Sequence, residues 1–230
     1  MNEVWKRLES WLNENLPETV AGLNQGCTEA DIVRLERETG IPLPDSFRTF
    51  YSMHDGQRLF EGAGLFYGIW LLPLSDILRV WNIWLDVIER AKQTGNDMDE
   101  SQISLMPGKV KALYANDKWI PFASFLDSNH LGLDFDPGPE GKIGQVINFG
   151  RDEEQKAVLA HSFGEFIDQY IAALESGEAV IRYEEQTAVL LPKKFNWRFE
   201  GAGTRLLGPV AHRFIEEPSR DEQERLGILL

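Results

Sequence analysis

The fold is decided by residues 119–150, which read WIPFASFLDSNHLGLDFDPGPEGKIGQVINFG. Two short runs in this stretch, Leu131–Asp136 and Gly144–Gly150, alternate apolar and polar residues, which is typical of half-buried β-strands. Between them, Pro137–Gly141 contains two prolines and two glycines, which disfavour the interior of a helix or a strand. The stretch therefore predicts a β-hairpin with an acidic tip.

Helical patterns precede the hairpin and predict an N-terminal layer of three helices. Apolar residues at helical spacing predict a first helix over residues 2–15, which Pro17 ends. Thr28 and Gly40 match the start and the end of a second helix, and Asp45 begins a third. The other predicted elements, in chain order, are strands with tight turns in residues 62–74, a helix over 76–92, strands over 109–116 and 156–161, and a helix that Ser162 caps and Gly177 ends.

Composition limits the classes of function. The chain has 230 residues and a formal net charge of −14, which argues against a nucleic-acid partner because nucleic acids select basic surfaces. The same charge suits a basic protein partner, or serves solubility alone. A single cysteine, Cys27, excludes an internal disulfide. The first residues lack an apolar signal-peptide core and no apolar run is long enough to span a bilayer, so we expect a cytoplasmic protein without membrane contact.

Few side chains suggest chemistry. Asp134 and Asp136, with Asp127 and Glu140 nearby, are the best metal-ligand candidates, because hard cations prefer several oxygen ligands. The spacing of a calcium loop is absent, and local capping of the Pro-Gly turn explains the same residues. The four histidines show no metal-binding spacing, and no nucleophile elbow, phosphate loop or dinucleotide motif occurs. We therefore expect no cofactor. Trp197 is the best candidate for an exposed aromatic contact, because its neighbours are polar.

Six groups of residues, in a fixed order, resemble the SUKH superfamily, whose fungal founder is a cell-wall assembly regulator of the Smi/Knr type. The resemblance covers roughly residues 28 to 175. Its groups are Leu43–Arg48 with Tyr51 and Asp55–Gln57, Leu71–Leu74, Trp119–Phe122, Asn129–Pro139, Gly144–Ile147 and Ser162–Phe166. The residues that carry the resemblance most directly are Pro44, Gly56, Trp119, Pro121, Asp134, Asp136, Gly138 and Gln145.

The resemblance implies an α+β fold, with a mixed, mainly antiparallel sheet flanked by helices and an N-terminal helical layer. The SUKH-like domain would comprise residues 1–178, and residues 179–230 would form a C-terminal extension packed against it. The resemblance also implies a protein-binding role without catalysis. Many bacterial members look like immunity proteins that neutralise a toxin, whereas fungal members resemble regulatory scaffolds.

The favoured interpretation is an immunity protein that covers the positively charged active site of a cognate toxin with acidic loops. Its candidate contacts are Asp55, Asp134, Asp136 and Glu140 at predicted loop tips, together with Trp197. A regulatory scaffold of the cell-wall assembly type is the first alternative, which the short flanks of this chain disfavour. A metal-dependent hydrolase that uses Asp134 and Asp136 is the second. The sequence does not indicate the oligomeric state.

Overall fold

Helices cover a five-stranded sheet in the computed structural model of the chain. The structure describes residues 2–59, 61–126, 128–184, 187–193, 209–216 and 218–227. The two helices that pack on the sheet are α5 (Leu74–Thr94) and α6 (Phe163–Glu175). This arrangement confirms the α+β class that the resemblance implies. No helix among the described residues combines the length and the apolar character needed to cross a membrane.

The N-terminal layer holds four helices within residues 2–53, where the sequence predicts three. They are α1 (Asn2–Asn15), α2 (Pro17–Ala21), α3 (Glu29–Thr39) and α4 (Asp45–Met53). Thr28 forms a capping box with Asp31, and Gly40 ends α3 with a left-handed φ of 68°, both as predicted. Pro17 begins α2 as well as ending α1, because a proline at the first helical position loses no intrahelical hydrogen bond.

The central sheet is antiparallel throughout. Its strands, in spatial order, are β1 (Trp70–Leu71), β3 (Trp119–Phe125), β4 (Asn129–Asp134), β5 (Gln145–Gly150) and β7 (Val158–Ala160). Two smaller pairs are β2 (Ile103–Ser104) with β6 (Gln155–Lys156), which is parallel, and β8 (Ala179–Glu184) with β9 (Thr187–Pro192), which is antiparallel. The predicted hairpin is confirmed as β4 and β5, whose register pairs Asp134 with Gln145.

Both faces of this hairpin are buried, so the prediction of half-buried strands is wrong. Every residue of β4 and β5 is buried. α5 packs Trp84 against His130 and Phe149 on one face. On the other face, α6 packs Phe163 against Phe122, the residue displaced by a β-bulge in β3. Alternation alone cannot distinguish a polar residue that faces solvent from one that is hydrogen-bonded beneath a helix.

Residues 109–116 form an irregular loop rather than the predicted strand. The carbonyl oxygen of Lys109 accepts hydrogen bonds from the backbone N–H of Gly138 (3.0 Å) and from Nε2 of Gln145 (2.9 Å). The loop therefore uses its backbone to hold the hairpin tip and pairs with no described strand. Residues 62–74 likewise contain mostly turns, and β1 is the only strand there.

A buried carboxylate joins residues 210 and 211 to the loop after β5. Glu153 is fully buried and accepts hydrogen bonds from the backbone N–H groups of Val210 and Ala211 and from the amide of Asn148. Burial raises the pKa of Glu153 to about 7, although these three donors act in the opposite direction. The predicted division into residues 1–178 and 179–230 stays a prediction.

His130 lies at the centre of β4, and neither ring nitrogen has a hydrogen-bond partner among the described residues. Its ring is fully buried, with centroid distances of 5.8 Å to Trp84 and 5.1 Å to Phe149. Burial, followed by the positive charge of Arg79, lowers the pKa of His130 from 6.5 to about 3. The buried imidazole is therefore neutral at neutral pH.

This buried imidazole makes stability depend on pH. Between pH 6.5 and 3 the unfolded chain binds a proton on His130 that the folded chain does not, so the free energy of unfolding falls as the pH falls. From pH 7 to pH 5, we expect this group to cost about 2 kcal/mol, a loss that His130→Leu removes. Denaturant unfolding at both pH values measures the difference between variant and wild type. The exposed control His161→Gln should keep the wild-type pH dependence. An unchanged acid loss in His130→Leu would contradict the assignment.

Candidate partner-binding surface

The Asp134 carboxylate organises the base of the hairpin. It is fully buried and accepts hydrogen bonds from Trp119 Nε1 (3.0 Å), the backbone N–H of Asp136 (2.9 Å) and Gln145 Nε2 (2.8 Å). Trp119 and Gln145 are its cross-strand neighbours, so the network joins three strands. Burial raises the pKa of Asp134 by more than these donors lower it. The prediction that Asp134 lies at an exposed loop tip is therefore corrected, because the unbound chain presents none of its surface.

The hairpin tip is held against a neighbouring loop by backbone contacts. The N–H groups of Gly138 and Glu140 donate to the carbonyl oxygens of Lys109 and Gly108, at 3.0 and 2.8 Å. A Cβ atom on Gly138 would lie 2.3 Å from the Gly108 oxygen, so only glycine permits this approach. Glu140 is exposed, as predicted for a residue of the tip. The Pro-Gly sequence thus allows the hairpin tip to pack closely against the loop at Gly108 and Lys109.

Asp136 lies two residues beyond the buried carboxylate, and its side chain is 41% exposed. It accepts hydrogen bonds from Lys111 Nζ (2.5 Å) and Asn116 Nδ2 (2.8 Å). Partial burial raises its pKa, but these two hydrogen bonds and the charge of Lys111 outweigh burial and leave the pKa below its ordinary value. Asp136 is accessible to a partner, although its two oxygens already bind side chains of this chain.

The side chain of Asp55 contacts the first residue of α5 and is not at a free loop tip. One carboxylate oxygen accepts a hydrogen bond from the backbone N–H of Leu74 (2.8 Å), the first residue of α5. Burial raises the pKa of Asp55, which is half-buried. This carboxylate therefore supplies the cap that the residue before the helix, Pro73, cannot give. Trp197 and the aromatic segment around it lie outside the described residues.

The geometry gives no support to the metal-dependent hydrolase. The carboxylates of Asp134 and Asp136 each bind donors of the protein, and the main chain of Asp136 is itself one of the donors to Asp134. Among the described residues, no group of three His, Cys, Asp or Glu side chains is placed to hold a metal ion. Asp127, the third acid of the predicted cluster, lies outside the described residues.

A groove that the sequence does not indicate lies beside α5. It has a volume of about 550 Å³, and its two walls are residues 85–92 of α5 and the segment of residues 113–117. We call it the α5 groove. Its apolar lining comes from half-buried residues, namely Leu85, Ile88, Leu113 and Ala115. Three exposed acids, Asp86, Glu89 and Asp117, also line it, together with one base, Lys92.

The second wall of the α5 groove is held by hydrogen bonds to the rest of the domain. Asn116 donates to Asp136, as described above, and Trp81 Nε1 donates to the carbonyl oxygen of Asp117 (3.0 Å). Near the other end, the backbone N–H of Tyr114 donates to Asp99 Oδ1 (2.6 Å). The wall is therefore anchored to the hairpin, to α5 and to the loop after α5. Because these contacts fix residues 113–117 without any strand pairing, the groove is largely preformed.

The helical spacing of one wall could be found from sequence, but the groove could not. Residues 85, 88, 89 and 92 lie at intervals of three and four, which places them on one face of α5. That face has the same apolar and charged mixture as an ordinary helix surface. Only the tertiary structure brings residues 113–117 beside it.

Comparison with known proteins is consistent with the positions of the motifs. Residues 26–169 match the model of the SMI1 / KNR4 family (SUKH-1). The chain belongs to this family. It is 31% identical over 203 residues to the cell wall assembly regulator SMI1 of Saccharomyces cerevisiae, an alignment that covers 76% of this chain and 40% of that protein.

Two further relatives give the same result. The cell wall biosynthesis/cell cycle regulator smi1 of Schizosaccharomyces pombe is 32% identical over 208 residues, covering 86% of this chain and 41% of that protein. KNR4/SMI1 homolog 2 of Debaryomyces hansenii is 33% identical over 220 residues, covering 81% and 37%. The SUKH-1 chain described here thus spans about two fifths of the length of these curated relatives.

The residues that carry the family resemblance have structural roles in this SUKH-1 chain. Pro44 occupies the N-cap position of α4, and Pro121 lies beside the β-bulge of β3. Gly56 has a φ of 73°, and a Cβ atom there would lie 2.2 Å from the backbone nitrogen of Pro73. Trp119 and Gln145 bind Asp134. The motifs therefore specify the fold, and they do not identify a partner.

The two aspartates of the hairpin should differ strongly in their contribution to stability. Asp134→Ala leaves the N–H groups of Trp119 and Gln145 buried without an acceptor, so we expect a loss of about 3 to 5 kcal/mol. Asp136→Ala removes a half-exposed ion pair and the acceptor of Asn116, and should cost about 1 to 2 kcal/mol. Urea unfolding at pH 7 measures both values. Equal losses for the two variants would contradict the central role of Asp134.

Proposed function

We propose that this chain is a non-catalytic, protein-binding module that takes part in the regulation of cell-wall assembly. The observation that carries the proposal is family membership, because the relatives that match this chain are named as regulators of cell-wall assembly or biosynthesis. The proposal concerns the matched module, since the chain corresponds to only 40% of the Saccharomyces cerevisiae protein. A cytoplasmic location remains part of the proposal.

The positions of the acidic residues support a binding role over a catalytic one. The best acid pair in the sequence, Asp134 and Asp136, is engaged by donors of the protein itself. The acids of the α5 groove are exposed. Among the described residues Asp86 and Glu89 form no ion pair, although Glu89 accepts a hydrogen bond from Gln93 Nε2 (3.0 Å). A general acid or base needs a positioned carboxyl with an altered pKa close to a substrate pocket. A protein interface combines an apolar core with a polar, solvent-accessible rim, and the half-buried apolar floor and exposed acids of the groove match that arrangement.

The comparisons favour the scaffold alternative over the immunity protein. The names of the fungal relatives give no support to toxin neutralisation, which the sequence favours on charge and on short flanks. Short flanks are a weak argument, because the relatives extend far beyond the matched region. One fold can serve unrelated functions, so the fold alone does not separate a regulatory module from an immunity protein.

The proposal is tested by replacing the matching region of the Saccharomyces cerevisiae relative with this chain, in a strain that lacks the native gene. If the module carries the regulatory binding, the chimera should restore growth on medium that contains a cell-wall-binding dye to at least half of the native level. A chimera with Asp134→Ala serves as the destabilised control. Failure of a chimera that accumulates to the native level and resists limited proteolysis would contradict the proposed function.

A further inference from the structure

We propose that the α5 groove binds a basic, amphipathic segment of a partner protein. The inference rests on the proposed function, since it names the class of partner that the regulatory module takes. The occupant presents two apolar side chains to the floor of the groove and Lys or Arg side chains to its acidic rim. The first wall extends over residues 85–92, or about 10 Å along the helix axis, which matches about two turns of a bound helix.

The floor of the groove supplies the apolar part of the binding energy. Leu85 and Ile88 are half-buried on α5, and Leu113 lies opposite on the second wall. A cavity of about 550 Å³ between them accommodates two large apolar side chains and falls within the size range of pockets that bind ligands. Because the second wall is anchored at three places, binding does not have to order a mobile loop.

The rim determines the charge of the occupant. Asp86 and Glu89 are exposed on adjacent turns of α5 and, among the described residues, neither forms an ion pair with a base. Asp117 on the other wall lies 3.9 Å from Lys118 Nζ, which is a weak exposed pair. With Lys92 as the single base of the lining, the groove has a net charge of about −2 at neutral pH. A cationic segment therefore gains favourable interactions on both walls.

Charge complementarity also separates this occupant from others. A second copy of the chain brings a formal net charge of −14 towards the acidic rim, and a nucleic acid brings phosphates. Electrostatic repulsion from the acidic rim therefore opposes the binding of either one. A basic polypeptide segment is attracted at long range and is then held by the apolar floor.

The experiment uses a fluorescein-labelled, 18-residue synthetic peptide of Leu and Lys, with the leucines at helical spacing, and a matched peptide in which Glu replaces Lys. Fluorescence anisotropy at low salt measures its affinity for the full chain. We expect Asp86→Lys/Glu89→Lys to weaken binding of the basic peptide at least tenfold. Ile88→Ser should weaken it at least threefold at unchanged thermal stability. The acidic peptide should not bind to the wild type or to Ile88→Ser, whereas the charge-reversed groove of Asp86→Lys/Glu89→Lys should gain affinity for it.

The matched control carries Glu14→Lys/Asp168→Lys, which are exposed positions on α1 and α6. Both double variants change the net charge by the same amount, so diffuse attraction affects them equally. The control should lose less than threefold in affinity. Equal losses in the two double variants, or full affinity in Ile88→Ser, would overturn the groove assignment.

Two readouts separate the possible failures. Sedimentation velocity of the wild type and the groove variant measures self-association, and a dimer that Asp86→Lys/Glu89→Lys abolishes would assign the groove to a second copy and overturn the proposal. Growth of the chimera reports the proposed function without reference to the groove. A chimera that restores growth equally well with and without the groove substitutions would reject the groove while leaving the regulatory function intact.

Discussion

A buried carboxylate with three hydrogen-bond donors holds the centre of this protein together. Asp134 ends one strand, and its donors come from the strands on either side and from the turn that follows. A carboxylate removed from water is costly unless donors replace the lost hydration, and the buried donors are in turn costly without their acceptor. The four groups therefore favour one register of the three strands over any other. Gln145 extends the network to Lys109 and so to the loop that holds the hairpin tip.

The same interior network reaches the surface that we assign to a partner. Asp136 donates its N–H to Asp134 and accepts a hydrogen bond from Asn116, which lies in the second wall of the α5 groove. The wall is thus fixed by contacts that begin at a fully buried group. In the proposed binding mode, Asp136 acts by holding this wall through Asn116. Rigidity of this kind lowers the entropic cost of binding.

The acidic residues of the chain illustrate why net charge does not identify a binding surface. Of 37 acidic residues, Asp134 is buried in the core, Asp55 caps a helix and Glu153 binds the backbone of Val210 and Ala211. Asp86 and Glu89, by contrast, are exposed beside an apolar floor. The family motifs follow the core contacts, and the groove walls lie between the motifs along the chain. Family membership therefore predicts the fold better than it predicts the partner.

The sequence by itself determined several helix ends and the central hairpin, and its family resemblance indicated the class of the fold. Capping by Thr28 and Ser162, the left-handed Gly40 and the alternation on either side of Pro137–Gly141 depend on neighbouring residues, so a sequence pattern records them. Only the tertiary structure decided which polar residues are buried. A strand shows the same alternation of apolar and polar residues whether its polar face contacts solvent or is covered by α5. It also decided that residues 109–116 hold the hairpin tip instead of joining a sheet. The α5 groove needs two segments more than twenty residues apart, and no local pattern records their contact.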